Sequence, residues 1–311
     1  MNRQPLASVL DSLLTNHYRS RIKTQIGCIL RLVNDVCERY LTILRFFAAF
    51  SFIFGKPTDD SMLKRERQAY ILHQVNLHNK VLSTDLSHHI NVSDDTIRRD
   101  LQELAEDGKL IKVHGGALSP SFHHGNYSSS KDVYSYSQKQ IIARKAATLI
   151  QDGMFVLTGG GTTVIELAKS LPPHLHATFI SGSIPAIHEY MNHPNIDVIV
   201  IGDKISKNSK ITVGLEAISR IRQIRADICF LGINAIHLDH GVSDNDWEVV
   251  QIKKAMIESA QKLVCLTIAE KINTQQPIKV CETSKIDTLI TELLPEDPIL
   301  QPYIKAGIKA L

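Results

Sequence analysis

The chain has 311 residues, a formal net charge of +3, 43% hydrophobic residues and 22% charged residues. This is an ordinary composition for a folded protein of about two domains, since one domain takes roughly 100–200 residues. The five cysteines are scattered without a CxxC pair, which argues against a disulfide framework or a structural zinc site and is typical of a reducing cytosol. The charge excludes a strongly basic nucleic-acid-binding domain, because residues 62–119 hold eight Lys and Arg against eight Asp and Glu.

Residues 1–61 form an N-terminal extension with an apolar stretch at 41–54. That stretch is too short to span a membrane, which takes about twenty apolar residues, and lies too far from the N-terminus for a signal peptide. It is a docking segment, a membrane-surface anchor, or sequence upstream of the true start. We favour the third interpretation, because Met62 is followed directly by LKRERQAYILHQV, a natural opening for the next domain. We expect a cytoplasmic protein without stable membrane insertion.

Residues 62–119 have the pattern of tandem helices followed by a small hairpin. The predicted elements are a helix over 64–77, a short strand at 81–82, a helix over 84–90 capped by Ser83, a turn at 91–93, a helix from 94, and a strand at 110–113 before a glycine turn. Two helices joined by such a turn form a helix-turn-helix, whose second helix enters the major groove of DNA.

The helix after Ser93 carries the residues expected to read DNA. The Ser93 hydroxyl is suited to cap it by accepting a hydrogen bond from a first-turn amide. Arg98 and Arg99 lie opposite its apolar face, where guanidinium groups can bind guanine or phosphate. The alternative is a solvated face on which both arginines only pair with acidic neighbours, but the tandem helices and trailing hairpin favour DNA recognition. The predicted DNA contacts are Thr84, Ser93, Asp95, Thr96, Arg98, Arg99, Lys112 and His114.

Residues 120–136 are rich in Ser, His, Gly and Tyr and lack apolar periodicity, which predicts an interdomain linker. His123 and His124 are adjacent within it, but no third ligand is in view for a metal ion. We predict neither a metal site nor a cofactor in this chain.

From residue 137 to 311, short apolar strands alternate with helices. Strands are predicted at 154–157, 179–180, 196–201, 228–231, 263–268 and 287–290, and helices at 141–150, 164–171 and after 183. This alternation predicts a parallel sheet covered on both faces. Ligands of such folds bind at the carboxyl ends of the strands, where the Gly, Ser and Thr clusters of this chain fall.

The most informative cluster is GGGTT at 159–163, between a predicted strand and a helix. Its glycines let backbone amides approach an anion, its hydroxyls add donors, and a helix N-terminus attracts negative charge. It is not a Walker A loop, because no lysine follows at the required spacing. The alternative is a simple tight turn, but the SGS cluster at 181–183, at the next strand end, favours an anion site.

Two sets of motifs match one known family. The first is TIRRDL at 96–101 with Leu104, Gly108, Leu110 and HGGA at 114–117. The second is GGGTT with Gly214, DICFLG at 227–232, DWE at 246–248, KKAM at 253–256 and Lys271. Together these motifs resemble those of the DeoR family of bacterial transcriptional regulators.

This resemblance implies an α/β protein with a winged helix-turn-helix at 62–119 and a Rossmann-like sensor domain at 137–311, of the ribose-5-phosphate isomerase and glucosamine-6-phosphate deaminase type. It implies a repressor of carbohydrate metabolism genes that binds double-stranded operator DNA as a homodimer or homotetramer and responds to a small phosphorylated sugar or related anionic metabolite. Lys271 would be a phosphate partner, and Glu248 and Lys253 would flank the pocket or form structural ion pairs. The predicted ligand-binding residues are Gly159, Gly160, Gly161, Thr162, Thr163, Ser181, Gly182, Ser183, Gly202, Glu248, Lys253 and Lys271.

Four pocket positions depart from the family pattern. Thr158 and Ile268 replace Asp, Gly182 replaces Asn, and Asp203 replaces Gly. Because several polar groups that would meet a sugar are absent, we expect a ligand unlike the usual sugar phosphates, or weak binding. In the wing, Lys112 replaces the usual Arg, which keeps the charge but loses bidentate geometry.

Two other functions remain open from the sequence. The first is an isomerase-like enzyme fused to a DNA-binding module, for which Asp246 and Glu248 are available carboxylates. The missing carboxylates at 158 and 268 disfavour catalysis, and no catalytic residue is predicted. The second is a membrane-tethered regulator that uses the apolar stretch 41–54.

Overall fold

The computed structural model describes residues 62–120 and 133–311. The N-terminal extension with its apolar stretch, and the pair His123 and His124, therefore lie outside the described residues. Within the two described ranges, no helix is long and apolar enough to cross a membrane, and no group of three or more His, Cys, Asp or Glu side chains is placed to hold a metal ion.

The first described range, here called the winged-helix unit (62–120), contains three helices and a small antiparallel sheet. Its elements are α1 (Lys64–His78), β1 (Lys80–Leu82), α2 (Ser83–Ile90), α3 (Asp94–Glu106), β2 (Ile111–Val113) and β3 (Gly116–Leu118), with the strands in the order β1-β3-β2. Ile71, Leu86, Ile97 and Leu101 pack into its core. The predicted helix-turn-helix with a β-hairpin wing is confirmed.

The expected cap of α2 is wrong. Ser83 is the first residue of the helix with a buried side chain, and Leu82 takes the cap position without a side-chain hydrogen bond. The Ser83 amide instead donates to the Gly115 carbonyl oxygen at 2.8 Å. Because Ser83 is the first helical residue, its amide has no intrahelical acceptor, and this bond from the wing satisfies it.

The second described range, here called the sensor unit (133–311), is an α/β fold. Its helices are α4 (Tyr136–Ala147), α5 (Thr162–Lys169), α6 (Ile184–Met191), α7 (Leu215–Arg222), α8 (Trp247–Glu258) and α9 (Gln301–Lys305). Its strands are β4 (Phe155–Thr158), β5 (Thr178–Ser181), β6 (Asp197–Val200), β7 (Lys204–Ser206), β8 (Ile211–Val213), β9 (Ile228–Gly232), β10 (Ala235–His237), β11 (Gly241–Asp244), β12 (Leu263–Leu266), β13 (Ile278–Cys281), β14 (Thr288–Ile290) and β15 (Lys309–Ala310).

The main sheet has seven parallel strands in the order β15-β14-β12-β9-β4-β5-β6. Successive strand residues point to opposite faces. Val156 and Phe230 pack under α4, α5 and α6, whereas Leu157 and Leu231 pack under α7 and α8. The predicted parallel sheet covered on both faces is confirmed.

The structure extends the predicted elements in two ways. Helix α4 begins at Tyr136, five residues before the predicted start, because Lys139 as well as Ile142 lies buried along it. The hairpin β7–β8 and the antiparallel sheet β10-β11-β13 have no counterpart in the prediction. Strands of three or four residues are too short to give a period-two signal.

Candidate functional site

Helix α3 presents the predicted DNA-contact residues on an exposed face. Ser93 caps it as expected, with its Oγ accepting a hydrogen bond from the Thr96 amide at 3.2 Å. The side chains of Ser93, Asp95, Arg98 and Arg99 are exposed, and Thr96 is half-buried. Thr84 at the start of α2 and His114 at the tip of the wing are also exposed.

The two arginines and the wing lysine differ in how they are held. Arg98 lies 3.4 Å from the Asp95 carboxylate in an exposed pair. Arg99 has no hydrogen-bond or ion-pair partner in the part of the chain that the structure describes. Lys112 Nζ donates to Gln102 Oε1 at 2.9 Å, which joins the wing to α3. Arg99 is therefore free to meet a phosphate or a base.

A buried ion pair fixes the orientation of α3. The Arg67 guanidinium of α1 binds both carboxylate oxygens of Asp100, and the two side chains are 10% and 2% exposed. Because Asp100 follows Arg98 and Arg99 directly, this pair turns both arginines towards solvent. Asp100 belongs to the TIRRDL motif, but nothing in its local sequence indicates this positioning role.

A cavity of about 120 Å³ lies at the carboxyl ends of β4, β9 and β12. Its walls are residues 160–163 after β4, 232–234 after β9, and 266–268 after β12. Residues 244–246, before α8, and the residues Lys139, Lys253 and Lys271 also line it. The remaining sensor-unit residues of the lining are Asn208, Ser209, Ile211 and Val249. The position agrees with the general rule for parallel α/β sheets.

The start of α5 supplies backbone donors to this cavity. The first amides of a helix have no intrahelical acceptor, and those of residues 160–163 donate to no acceptor among the described residues. Gly161 has a φ of 113°, a conformation that strains any residue with a Cβ, and it turns the chain into the helix. These amides can bind an anion at the positive end of the helix dipole.

Three lysines place positive charge around the cavity. Lys253 Nζ is paired with Asp244 Oδ2 at 2.6 Å and also donates to the Gly232 carbonyl at 2.9 Å. Lys139 donates to the Tyr134 carbonyl at 2.5 Å. Lys271 has only two long contacts of 3.4 Å, to the Ile233 carbonyl and the Asn234 side-chain oxygen. Neither Lys139 nor Lys271 has a carboxylate partner in the described ranges.

Burial strongly affects the ionisation of these groups. Burial first, and then the charge of Lys139, lowers the pKa of the Lys271 ammonium to about 7. Burial also lowers the pKa of Lys139 to about 8, against the charges of Glu166 and Glu270. Burial alone would raise the pKa of Asp244, but Lys253 holds it below its usual value. A bound anion would relieve the two unpaired lysines.

The structure brings half of the predicted ligand-binding residues to the cavity. Those lining it are Gly160, Gly161, Thr162, Thr163, Lys253 and Lys271. Those outside its lining are Gly159, Ser181, Gly182, Ser183, Gly202 and Glu248. Glu248 is exposed and pairs with Lys204 at 2.9 Å. The Ser181 hydroxyl bonds internally, donating to the Thr158 carbonyl at 3.1 Å.

The departures from the family pattern have structural counterparts. Thr158 is buried and accepts a hydrogen bond from the Tyr190 hydroxyl at 3.2 Å. A Cβ at Gly182 would lie 2.1 Å from Thr212 Oγ1, so the usual Asn would force Thr212 to move. Asp203 accepts from the Ala217 amide at 3.1 Å in the first turn of α7, which lowers its pKa.

Ile268, by contrast, does line the cavity. An apolar side chain replaces a carboxylate there, which removes an acceptor for ligand hydroxyls. This is the one departure that changes the lining itself.

Several lining residues were missed by sequence analysis. Asn234, Asp244 and Asn245 come from the loop after β9 and from the end of β11, short elements that the sequence pattern did not identify. Residues 78–80 and Leu118 belong to the winged-helix unit, and no local signal in the sequence associates them with a site on the sensor unit.

The chain matches two domains of one family. The DeoR C terminal sensor domain matches residues 134–293, and the DeoR-like helix-turn-helix domain matches residues 67–122. The chain is 30% identical to the HTH-type transcriptional repressor GlcR of Bacillus subtilis, over 80% of this chain and 96% of that protein. It is 33% identical to the glycerol-3-phosphate regulon repressor of Haemophilus influenzae, over 67% of this chain and 81% of that protein.

The ribose 5 phosphate isomerase A structure from Neisseria gonorrhoeae matches 44% of this chain and 53% of its own, at 13% identity and a TM-score of 0.33. The matched family and the curated relatives are transcriptional regulators, so the isomerase-like enzyme is not supported. The chain belongs to the DeoR family of DNA-binding transcriptional regulators.

Proposed function

We propose that this protein is a transcriptional repressor whose binding to operator DNA is controlled by a small phosphorylated metabolite held in the cavity. The observation that carries the proposal is the convergence of the free amides at the start of α5 with the ammonium groups of Lys139 and Lys271. The amides supply directed donors and the lysines supply charge.

The charge balance of the cavity favours a dianion over a neutral sugar. Two buried ammonium groups without carboxylate partners are costly, and an ion of opposite charge offsets that cost. A phosphate ester carries about −1.5 to −2 charges near pH 7 and three acceptor oxygens. A neutral ligand would fill the space and leave both lysines unpaired.

The name of one relative and the residues that line the cavity both indicate the class of ligand. The Haemophilus influenzae relative is named for a glycerol-3-phosphate regulon, which supports a small phosphorylated carbohydrate as the effector of this chain. Ile268 lines the cavity in place of a carboxylate, so fewer acceptors remain for sugar hydroxyls. We propose a compact phosphorylated polyol or sugar that is recognised mainly through its phosphate.

We propose that α3 and the wing contact the operator, and that the protein acts in the cytoplasm. Two-fold operators engage two recognition helices about one DNA turn apart, which requires a dimer or a tetramer. Sedimentation of the full chain, alone and with operator, tests this proposal, since a monomer that binds one half-site would contradict it.

The proposal is tested by pairing a stability screen with an operator-binding assay. A ligand that binds only the folded state raises the melting temperature, so glycerol 3-phosphate and glucose 6-phosphate are compared with glycerol and glucose. The phosphorylated member is expected to raise the melting temperature and to release an operator fragment from upstream of the gene. Lys271→Gln should abolish both effects. Equal stabilisation by the unphosphorylated compounds would contradict the proposal.

A further inference from the structure

The winged-helix unit contributes to the lining of the cavity. His78, Asn79, Lys80 and Leu118 line it together with the loop that starts α5. We propose that segment 78–80 of the DNA-binding unit belongs to the effector site, so that a bound anion bridges Lys271 of the sensor unit to His78 and Lys80 of the winged helix. This inference rests on the proposed function, because it takes an anionic effector in this cavity as given.

The end of α1 is embedded in the sensor unit. Leu77 is 5% exposed and belongs to the same apolar cluster as Ile268 and Val164 of the sensor unit. Asn245 Nδ2 donates to the Lys80 carbonyl oxygen at 2.8 Å, beside the cavity. A second contact joins the sensor unit to α1. The Tyr134 hydroxyl donates to Glu270 Oε2 at 2.6 Å and lies 3.4 Å from His73 Nδ1 of α1. These contacts fix segment 78–80 against the sensor unit, where it lines the cavity.

The groups that segment 78–80 presents suit an anion. His78 is 7% exposed, and burial followed by the charge of Lys271 lowers its pKa to about 4, which places an uncharged imidazole beside an unpaired ammonium. The Lys80 ammonium has no hydrogen-bond or ion-pair partner among the described residues, although its residue lines the cavity. The His78 imidazole also hydrogen-bonds the Asn234 backbone carbonyl and lies 3.4 Å from Gln276 Nε2. An anion beside Lys271 can compete with that carbonyl for the single N–H of neutral His78 and can accept a second hydrogen bond from Lys80.

The turn at Asn79 makes this arrangement possible. Asn79 has a φ of 61°, in the left-handed region that Asn tolerates better than most residues, and it ends α1 directly before β1. Because β1 pairs with β3 of the wing sheet, an anion held by Lys80 is connected through a single strand to the wing. Effector binding is then coupled directly to the position of the DNA-binding unit. This coupling does not have to pass through the sensor sheet.

The experiment measures phosphate binding to the full chain and to charge variants. Isothermal titration calorimetry of the full chain measures the affinity directly. Inorganic phosphate is the probe, at about pH 6.5. Lys80→Gln is expected to bind roughly tenfold more weakly than the wild type, with affinity restored by Lys80→Arg. Lys109→Gln removes an exposed lysine of the same unit, paired with Asp107 outside the cavity, and should bind as the wild type.

Hydrogen exchange in the same proteins distinguishes a bridge from a remote effect. Phosphate should slow amide exchange in peptides covering 76–83 as well as 158–165 in the wild type, and only in 158–165 in Lys80→Gln. If Lys80→Gln binds phosphate as the wild type while Lys271→Gln does not, or if 76–83 is never protected, the bridge is refuted and the effector site stands. If the wild type itself does not respond to phosphate, the proposed function fails and this inference fails with it.

Discussion

Arg98 lies on the exposed face of α3, 64% exposed and only loosely paired with Asp95. Arg98→Ala is expected to weaken operator binding by ~1–3 kcal/mol if the guanidinium reads a base, measured by fluorescence anisotropy at fixed salt. Arg220→Ala, which removes an exposed arginine of α7 paired with Glu216, is the matched control and should leave operator affinity unchanged. Equal affinities of the two variants would exclude a DNA contact by Arg98.

The lowered pKa of Lys271 predicts how effector binding depends on pH. Below about pH 7 this ammonium is charged in the free cavity, whereas above that pH an anion must draw in a proton to restore the charge. Affinity for a phosphorylated ligand should therefore fall as the pH rises from 7 to 9, and also below about pH 6, where the phosphate loses charge. Calorimetry from about pH 5 to 9 checks the trend, and Lys271→Arg, whose charge does not titrate over this range, should flatten the fall above pH 7.

The same shift predicts the stability of the free protein. The unfolded chain binds the Lys271 proton with the ordinary pKa of about 10.4, so between pH 7 and that value it holds more protons than the folded chain. Stability from this group should therefore rise with pH over that window. Urea unfolding at pH 7 and 9 measures the rise, which should be smaller in Lys271→Gln. An identical rise in the variant would show that another group causes it.

At the scale of elements, the buried pair between α1 and α3 fixes the orientation of the exposed α3 face that is predicted to contact DNA. Asp100→Ala leaves the Arg67 guanidinium buried without its carboxylate and should cost about 3–5 kcal/mol in the free energy of unfolding. Asp107→Ala, which breaks an exposed pair with Lys109, should cost less than about 1 kcal/mol. Chemical denaturation of both variants tests this difference, and a cost below 1 kcal/mol for Asp100→Ala would show that the pair is not needed.

A close approach between the end of β5 and strand β8 explains Gly182. Its Cβ would lie 2.1 Å from Thr212 Oγ1 of β8, so Gly182→Ala should destabilise the fold by about 1–3 kcal/mol. In a Thr212→Ala background the added Cβ has space, and the cost should be smaller by at least about 0.5 kcal/mol. A double-mutant cycle in urea measures this coupling, and strict additivity would contradict the steric explanation.

The sequence predicted whether a segment is a helix or a strand more reliably than it predicted the residues at which the segment begins and ends. Amphipathic periodicity and the Ser93 cap identified α3, and its start agrees with the structure. The start of α4 was missed because its first turn is buried through Lys139, a residue that reads as exposed in a sequence. Ser83 resembles an N-cap, but the wing supplies an acceptor for its amide, a contact that depends on the fold.

At the scale of the whole molecule, effector and operator binding should oppose each other reciprocally. If the effector lowers operator affinity by some factor, typically about 5–150-fold, the operator must lower effector affinity by the same factor. Calorimetric titration of phosphate with and without operator tests this linkage, with a duplex of unrelated sequence as control. Lys80→Gln should reduce the factor, since the proposed bridge is the shared element. An effector affinity independent of operator would contradict control of this kind.

The sequence by itself determined the order of units, the helix predicted to contact DNA, the parallel sheet and the glycine loop, because each depends on local periodicity, capping or spacing. The tertiary structure decided the composition of the cavity. Asp244 and Lys253 form a buried pair there, Glu248 points to Lys204 instead, and segment 78–80 arrives from the other unit. Contacts between residues far apart in the chain have no local signal. The GGGTT loop was recognisable from the sequence. That the DNA-binding unit lines the same cavity is shown only by the folded structure.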